Sequence, residues 1–188
     1  MENKQFKWVS ALTPIVPKCV FFLLLTGLFP ISVQAQNVSK YYTSLLQEEN
    51  TLYFILPQDG FHNKERNSQF EYDITYSTKM DSVTLNFSYY DKEEADFDGI
   101  ELKFQDKRVS NSLDRIFVEA EKKQWHYRYT TRLSLKDIEH FFATAKSPQI
   151  ILNKANKTIE LFVKPKKWEK QRLIINKILK LIRLNQNK

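Results

Sequence analysis

Hydrophobic and polar residues alternate most regularly in the segment 124–133. Its odd-numbered positions are mostly aromatic or aliphatic and its even-numbered positions are polar: Trp125, Tyr127, Tyr129, Thr131 and Leu133 against His126, Arg128, Thr130 and Arg132. Successive side chains of a strand point to opposite faces. The segment is therefore predicted to be a strand with an aromatic row in a core and a cationic row in solvent.

Similar patterns predict the rest of a sheet. A hairpin is predicted from 70–78 and 83–90, a buried strand at 51–56, further strands at 100–105 and 116–119, and a closing hairpin from 150–152 and 158–163. The segment 106–112 is polar and is assigned to no element. The connections between these strands are too short for crossover helices, except between Leu133 and Ile150.

Helical spacing occurs in two later segments. Ser134 to Asp137 resembles a capping box with Asp in place of the usual Glu or Gln, and predicts a short helix near 135–146. Pro165 begins a second helix. Its apolar side is predicted to carry Trp168, Ile174, Ile175, Ile178, Leu179, Leu181 and Ile182, opposite Lys166, Lys170, Lys177 and Lys180. Near the start, 36–49 has the spacing of a short helix, with a frayed arm as the alternative.

Together these elements predict an α+β domain with a mostly antiparallel sheet, for which a sandwich-like arrangement is one option. The C-terminal amphipathic helix is expected to lie across the sheet and cover the aromatic row. The segment 36–188 is long enough to form one ordinary domain.

The N-terminal segment has the layout of a secretory signal peptide. Lysines precede the apolar run Val20–Phe29, Pro30 ends that run, and cleavage is expected between Ala35 and Gln36. The run is shorter than the roughly 20 apolar residues that a spanning helix needs. The predicted location is therefore periplasmic or secreted, in a bacterium. The alternative is an uncleaved anchor.

Cysteine and charge narrow the classes of function. Cys19, the only cysteine, lies in the predicted leader, so the mature chain would have neither a disulfide nor a thiolate site. The net charge of +7 is concentrated in 164–188, which has nine Lys or Arg and one Glu, whereas 36–163 has 17 basic and 20 acidic residues. An acidic body on an exported chain argues against nucleic acid. Three glycines in the whole chain exclude a glycine-rich phosphate loop.

The first candidate binding surface is the solvent face of the central strand. His126, Arg128 and Arg132, with Tyr90 from another strand, could bind anionic glycans, peptides or a partner protein. The pattern favours a simpler interpretation, in which these cations pair with nearby carboxylates. Glu119, Glu71 and Asp73 are the partners expected for them.

Two other sets of residues could carry chemistry. Acid–base catalysis, as in a hydrolase, would need Asp59, His62, His126 and His140 to converge from separate segments. Calcium could bind the carboxylates that follow the predicted hairpin: Asp91, Glu93, Glu94, Asp96, Asp98 and Glu101. Their spacing does not fit an EF-hand, so a solvated acidic loop is the favoured interpretation. No cofactor or metal is predicted.

The sequence thus favours a small exported, non-catalytic binding or accessory module. It would recognise a protein or a cell-envelope component through the exposed sheet face. The rivals are a histidine- and carboxylate-dependent hydrolase, and a peripheral membrane protein that uses its basic C-terminal helix. For that helix, docking on the sheet is favoured over a membrane, because the sheet needs a cover for its apolar side.

Overall fold

The computed structural model describes residues 38–56, 60–155 and 157–186. Within these ranges, a 3-10 helix, Ser39–Tyr41, precedes eleven strands and two α-helices. The strands are β1 (Tyr42–Gln47), β2 (Asn50–Ile55), β3 (Phe61–Asn63), β4 (Ser68–Ser77), β5 (Ser82–Asp91), β6 (Gly99–Phe104), β7 (Lys107–Ser112), β8 (Asp114–Glu121), β9 (Gln124–Ser134), β10 (Gln149–Lys154) and β11 (Lys157–Phe162). The helices are α1 (Leu135–Thr144) and α2 (Pro165–Gln186). The predicted leader and its cleavage point lie outside the described residues.

All eleven strands belong to one sheet, and every pairing is antiparallel. The strand order is β7-β6-β10-β11-β3-β4-β5-β9-β8, and the β1–β2 hairpin joins the C-terminal half of β4. The sheet curls into a half-barrel instead of stacking on a second sheet. The fold is therefore α+β and mostly antiparallel, as predicted.

The core lies on the inner face of this curl. Aromatic side chains stack there across three neighbouring strands: the Phe70 and Phe87 ring centroids are 4.4 Å apart, and those of Phe87 and Tyr129 are 5.3 Å apart. Tyr127 and Tyr129 are buried. The alternation predicted for the central strand is confirmed. The buried apolar residues that the structure describes lie between Val38 and Ile182.

Helix α2 packs onto the core through Trp168. The indole centroid lies 6.0 Å from the ring of Phe61 and 5.4 Å from that of Phe142, and its Nε1 donates a hydrogen bond to the carbonyl oxygen of Ala145 at 2.6 Å. Six of the seven apolar residues predicted for the inward side are buried. Leu181 is the exception, since it faces solvent, and Gln171 is buried on the inward side. None of the helices within the described ranges is both long and apolar enough to cross a membrane.

The acidic loop 92–98 covers part of the aromatic row that α2 was predicted to cover. The amide of Ala95 donates to the hydroxyl of Tyr127 at 2.8 Å, and the amide of Phe97 donates to that of Tyr129 at 3.3 Å. Because Ala95 and Phe97 are themselves buried, this loop closes the core over β5 and β9. The prediction that it is only a solvated loop is therefore wrong for these two residues.

Two segments form strands that the hydrophobic pattern did not indicate. Tyr42–Gln47 is β1, not a helix or a frayed arm, because a turn with Glu48 at φ 46° folds it back onto β2. Lys107–Ser112 is β7, which pairs with β6 after a turn with Gln105 at φ 51°. Both strands have mostly exposed side chains, so backbone pairing without burial defines them.

Candidate functional site

The polar residues of the central strand lie on the outer face of the sheet. On this face Ser88 of β5 is directly opposite Arg128 of β9, and Tyr90 is opposite His126. The inward positions of both strands are filled by aromatic residues, so alternation alone sends these four side chains outward. They form a continuous patch across two neighbouring strands.

His126 is held by contacts on both ring nitrogens. Its Nδ1 lies 3.1 Å from Oε1 of Glu119, and its Nε2 lies 3.1 Å from Oγ of Ser88. The imidazole stacks on the ring of Tyr90 at a centroid distance of 4.4 Å, and Phe117 meets it edge-on at 5.0 Å. The side chain is only 14% exposed. His126 is therefore a fixed element of the surface.

Arg128 is neutralised by Asp73 of β4. Its Nη2 donates to Oδ2 of Asp73, and its Nη1 donates to Oγ of Ser88 at 3.3 Å. The other carboxylate oxygen of Asp73 accepts from Nδ2 of Asn86 at 3.0 Å. The pairing expected from the sequence is thus present for His126 with Glu119 and for Arg128 with Asp73.

Tyr90 and Arg132 differ from His126 and Arg128 in their contacts. Burial raises the pKa of Tyr90 above its ordinary value, so its hydroxyl stays protonated at neutral pH. Arg132 is exposed, and no carboxylate in the described part of the chain pairs with its guanidinium. Its carbonyl oxygen accepts a hydrogen bond from Nδ2 of Asn111.

Beside this patch, β8 forms an edge of the sheet. All eight of its residues are exposed, and among the described strands it pairs with β9 alone. Three consecutive apolar residues lie on it, with exposed fractions of 55% for Ile116, 39% for Phe117 and 42% for Val118. An irregularity in the register between Arg115 and Phe117 accompanies them. We name Ile116, Phe117 and Val118 the β8 apolar edge.

The β8 apolar edge was not among the residues singled out from the sequence. The segment was predicted as a short strand, but no surface role followed from that. A signal was present, because three consecutive apolar residues cannot all point to the same face of a strand. At least one of them must point away from the core.

The three histidines proposed for acid–base chemistry, which all lie in the described ranges, do not come together in one pocket. His62, Gln69, Tyr90 and His126 occupy one cross-strand row, so two side chains separate the two histidines. His140 lies on α1, where its ring meets Phe104 edge-on. Asp59 lies outside the described residues.

The carboxylates considered for calcium are spread apart and mostly paired. Asp91 is buried and accepts from Nε of Arg66 at 2.9 Å. Asp96 binds Nζ of Lys154 and also Arg115, and these cations hold its pKa below the usual range. Within the described ranges, no group of three or more His, Cys, Asp or Glu residues is arranged to hold a metal ion.

Comparison with known proteins adds no assignment. No family model matches the chain, and no curated protein matches it.

One cavity in the described part of the core is too small for a drug-sized ligand. A cavity between α1 and the sheet, lined only by apolar side chains such as Tyr72, Leu102 and Phe141, has a volume of about 10 Å³. Pockets for drug-sized ligands measure roughly 300–1,000 Å³. The candidates for recognition that the exposed residues support are the outer face of the sheet and the β8 apolar edge.

Proposed function

We propose that this protein is an exported, non-catalytic binding module that recognises a protein partner of the cell envelope. The binding surface comprises the β8 apolar edge together with Tyr90, His126 and Arg128 on the adjoining outer face. The observation that carries the proposal is the exposure of three consecutive apolar residues on an edge strand that pairs, in the described part of the chain, on one side only. Edge strands are usually protected by charged residues, prolines or covering segments.

An extended segment of a partner is the form of ligand that suits this edge. The outer backbone groups of β8 can pair with an added strand, and the apolar side chains can pack against alternate residues of that strand. Phe117 joins the two parts of the surface, because it belongs to β8 and contacts the ring of His126.

The contacts around His126 and Arg128 favour recognition by shape over attraction by net charge. Both side chains are already fixed by hydrogen bonds, so little conformational freedom is lost when a partner binds. Asp73 offsets the charge of Arg128, and a carboxylate oxygen of Glu119 lies 3.1 Å from Nδ1 of His126. Arg132 adds one exposed cation at the margin.

The test compares three forms of the segment 36–188 as baits for proteins solubilised from the envelope of the source cells. They are the unchanged chain, the double variant Ile116→Lys and Val118→Lys, and the control Leu46→Lys. Like Ile116 and Val118, Leu46 is an exposed apolar residue of an edge strand, in this case β1, with 76% of its surface in solvent. Circular dichroism must first show equal folding of the three forms.

We expect a protein that the unchanged chain and the Leu46→Lys control capture and that the β8 variant fails to capture. Adding this purified protein should slow hydrogen exchange at the amides of β8. If all three forms capture the same proteins, or if exchange in β8 does not change, the proposed surface is wrong.

A further inference from the structure

The outward side of α2 carries a stripe in which lysines and leucines are interspersed. On a helical wheel its members fall within an arc of about 100°: Lys166, Lys170, Leu173, Lys177, Lys180, Leu181 and Leu184. All seven are exposed. We name this set the lysine–leucine stripe.

The three leucines of this stripe are not explained by the core. The inward side of α2 is filled by Trp168 and five isoleucine or leucine residues. Leu173, Leu181 and Leu184 point away from it, with exposed fractions of 44%, 40% and 54%.

The charge of the stripe is entirely positive. Residues 164–186 contain eight Lys or Arg and only one Glu, and that glutamate, Glu169, is paired with Arg172. Arg183 is paired with Glu139 of α1. In the described part of the chain, no carboxylate lies within ion-pair distance of Lys166, Lys177 or Lys180.

We propose that the lysine–leucine stripe docks α2 on the surface of a bilayer that contains anionic phospholipid. Leucines at this spacing can enter the boundary between head groups and acyl chains, while lysines extend their apolar stems alongside and keep their ammonium groups at the phosphates. Lysine near an anionic membrane adds to the affinity through the surface potential.

Two features distinguish this docking from the insertion into a bilayer of an amphipathic helix that has detached from the fold. The apolar side that the sequence offered to a membrane is buried against Phe61 and α1, so it stays in the core. The helix is already formed and docked, so binding requires no further folding. The stripe also points away from the sheet, whose outer face carries the proposed protein-binding surface.

The experiment measures binding of the segment 36–188 to sedimented vesicles. One set of vesicles contains phosphatidylcholine alone, and the other contains equal parts of phosphatidylcholine and phosphatidylglycerol. The charge variant is Lys177→Gln with Lys180→Gln, and its control is Lys122→Gln with Lys123→Gln in the exposed β8–β9 turn. The apolar variant is Leu173→Asn with Leu184→Asn, and its control is Leu46→Asn.

We expect binding to the anionic vesicles that weakens with added salt. The charge variant should weaken it about tenfold or more, since each lysine near an anionic surface contributes on the order of 1 kcal/mol. The apolar variant should also weaken it at least severalfold. Both controls should bind as the unchanged chain does, and all forms should have the same melting temperature.

Three results would overturn the proposal. The first is an absence of binding to the anionic vesicles. The second is a charge variant that binds no more weakly than its control. The third is loss of binding with the charge variant but not with the apolar variant. In that case the stripe would be a site for a soluble polyanion or an acidic protein, and binding to polyglutamate would reveal it.

Discussion

At Asp91 the chain places a carboxylate in its core, with only 1% of the side chain exposed. The charge is compensated there by Nε of Arg66 at 2.9 Å, the hydroxyl of Tyr89 at 2.5 Å and the amide of Glu93 at 3.0 Å. Burial raises the pKa of Tyr89 above its ordinary value, and the bond to Asp91 adds to this effect. Asp91 therefore ties the turn before β4 to the start of the acidic loop.

Replacing this carboxylate by its amide should be costly. Asp91→Asn removes the charge that faces Arg66 and turns one acceptor oxygen into a donor that meets other donors. We expect a loss of about 2–3 kcal/mol in the free energy of unfolding, because hydrogen bonds to buried charged groups are worth that much. Urea unfolding at neutral pH measures the loss.

The control is Glu93→Gln, because Glu93 contacts the same arginine but is largely exposed. It should cost less than about 1 kcal/mol. Equal losses in the two variants would show that the buried contacts of Asp91 add no more to the free energy of unfolding than an exposed ion pair does.

The sequence identified Asp91 as part of an acidic run but could not show that it turns inward. Asp91 continues the inward alternation of β5 one residue beyond the predicted end of that strand, and Arg66, 25 positions away, binds it through a tertiary contact. Contacts between residues on the same face of adjacent strands were predictable from alternation, as with His126 and Glu119. Contacts in which one residue lies in a loop, such as that of Asp91 with Arg66, were not.

Among the elements, those with one buried face were recognised from their pattern. The hairpin of β4 and β5, the strand β9 and the inward side of α2 all bury a regular set of apolar residues. β1 and β7 bury almost no side chain, so no hydrophobic period could reveal them. Their positions follow from turns and from pairing with neighbouring strands.

The start of α1 was predicted from its capping residues, and it provides a pH-dependent contribution. The amide of Asp137 donates to Oγ of Ser134 at 3.0 Å, and Oγ of Ser134 donates back to the carboxylate at 2.7 Å. Lys107 binds the same carboxylate at 2.6 Å. These contacts, with that of Lys107 the largest, hold the pKa of Asp137 below its usual range.

A carboxylate with a lowered folded-state pKa stabilises the protein above its unfolded-state pKa of about 3.9. That contribution is lost as the pH falls through the lowered value. Asp137→Asn should therefore reduce stability at neutral pH by up to about 1 kcal/mol and flatten the decline below about pH 5. Urea unfolding over a pH series tests this. The control is Asp114→Asn, at an exposed position of β8, which should keep the full decline of stability with falling pH. If Asp137→Asn also keeps the full decline, the pH dependence does not come from Asp137.

At the scale of the whole molecule, register determines which outer residues meet. Alternation predicted that His126, Arg128 and Tyr90 face solvent. It could not predict that His62 joins the row of Tyr90 and His126, because that depends on the pairing of β3 with β4. It also could not predict that β8 ends the sheet, because β7, the preceding strand, pairs with β6 instead.

The curl of the sheet brings its two ends together near the chain segment that joins β7 to β8. Oγ1 of Thr131 donates to the carbonyl oxygen of Ser112 at 2.7 Å, and Asn111 binds the carbonyl oxygen of Arg132. The amide of Leu113 donates to the carbonyl oxygen of Asp98 at 2.9 Å. β7 therefore lies beside the C-terminal half of β9, although the two strands are not paired.

Thr131 tests whether this closure contributes to stability. Thr131→Val keeps the shape of the buried side chain but leaves the carbonyl of Ser112 without its donor, which should cost about 1 kcal/mol or somewhat more. Because the bond fixes β7 against β9, amide exchange should accelerate in β6 and β7 more than in β4 and β5. Thr131→Ser retains the hydroxyl and should preserve slow exchange in β7, although the lost methyl group lowers stability. If Thr131→Ser accelerates exchange in β7 and Thr131→Val does not, packing of the methyl group, and not the hydrogen bond, holds the two ends of the sheet together.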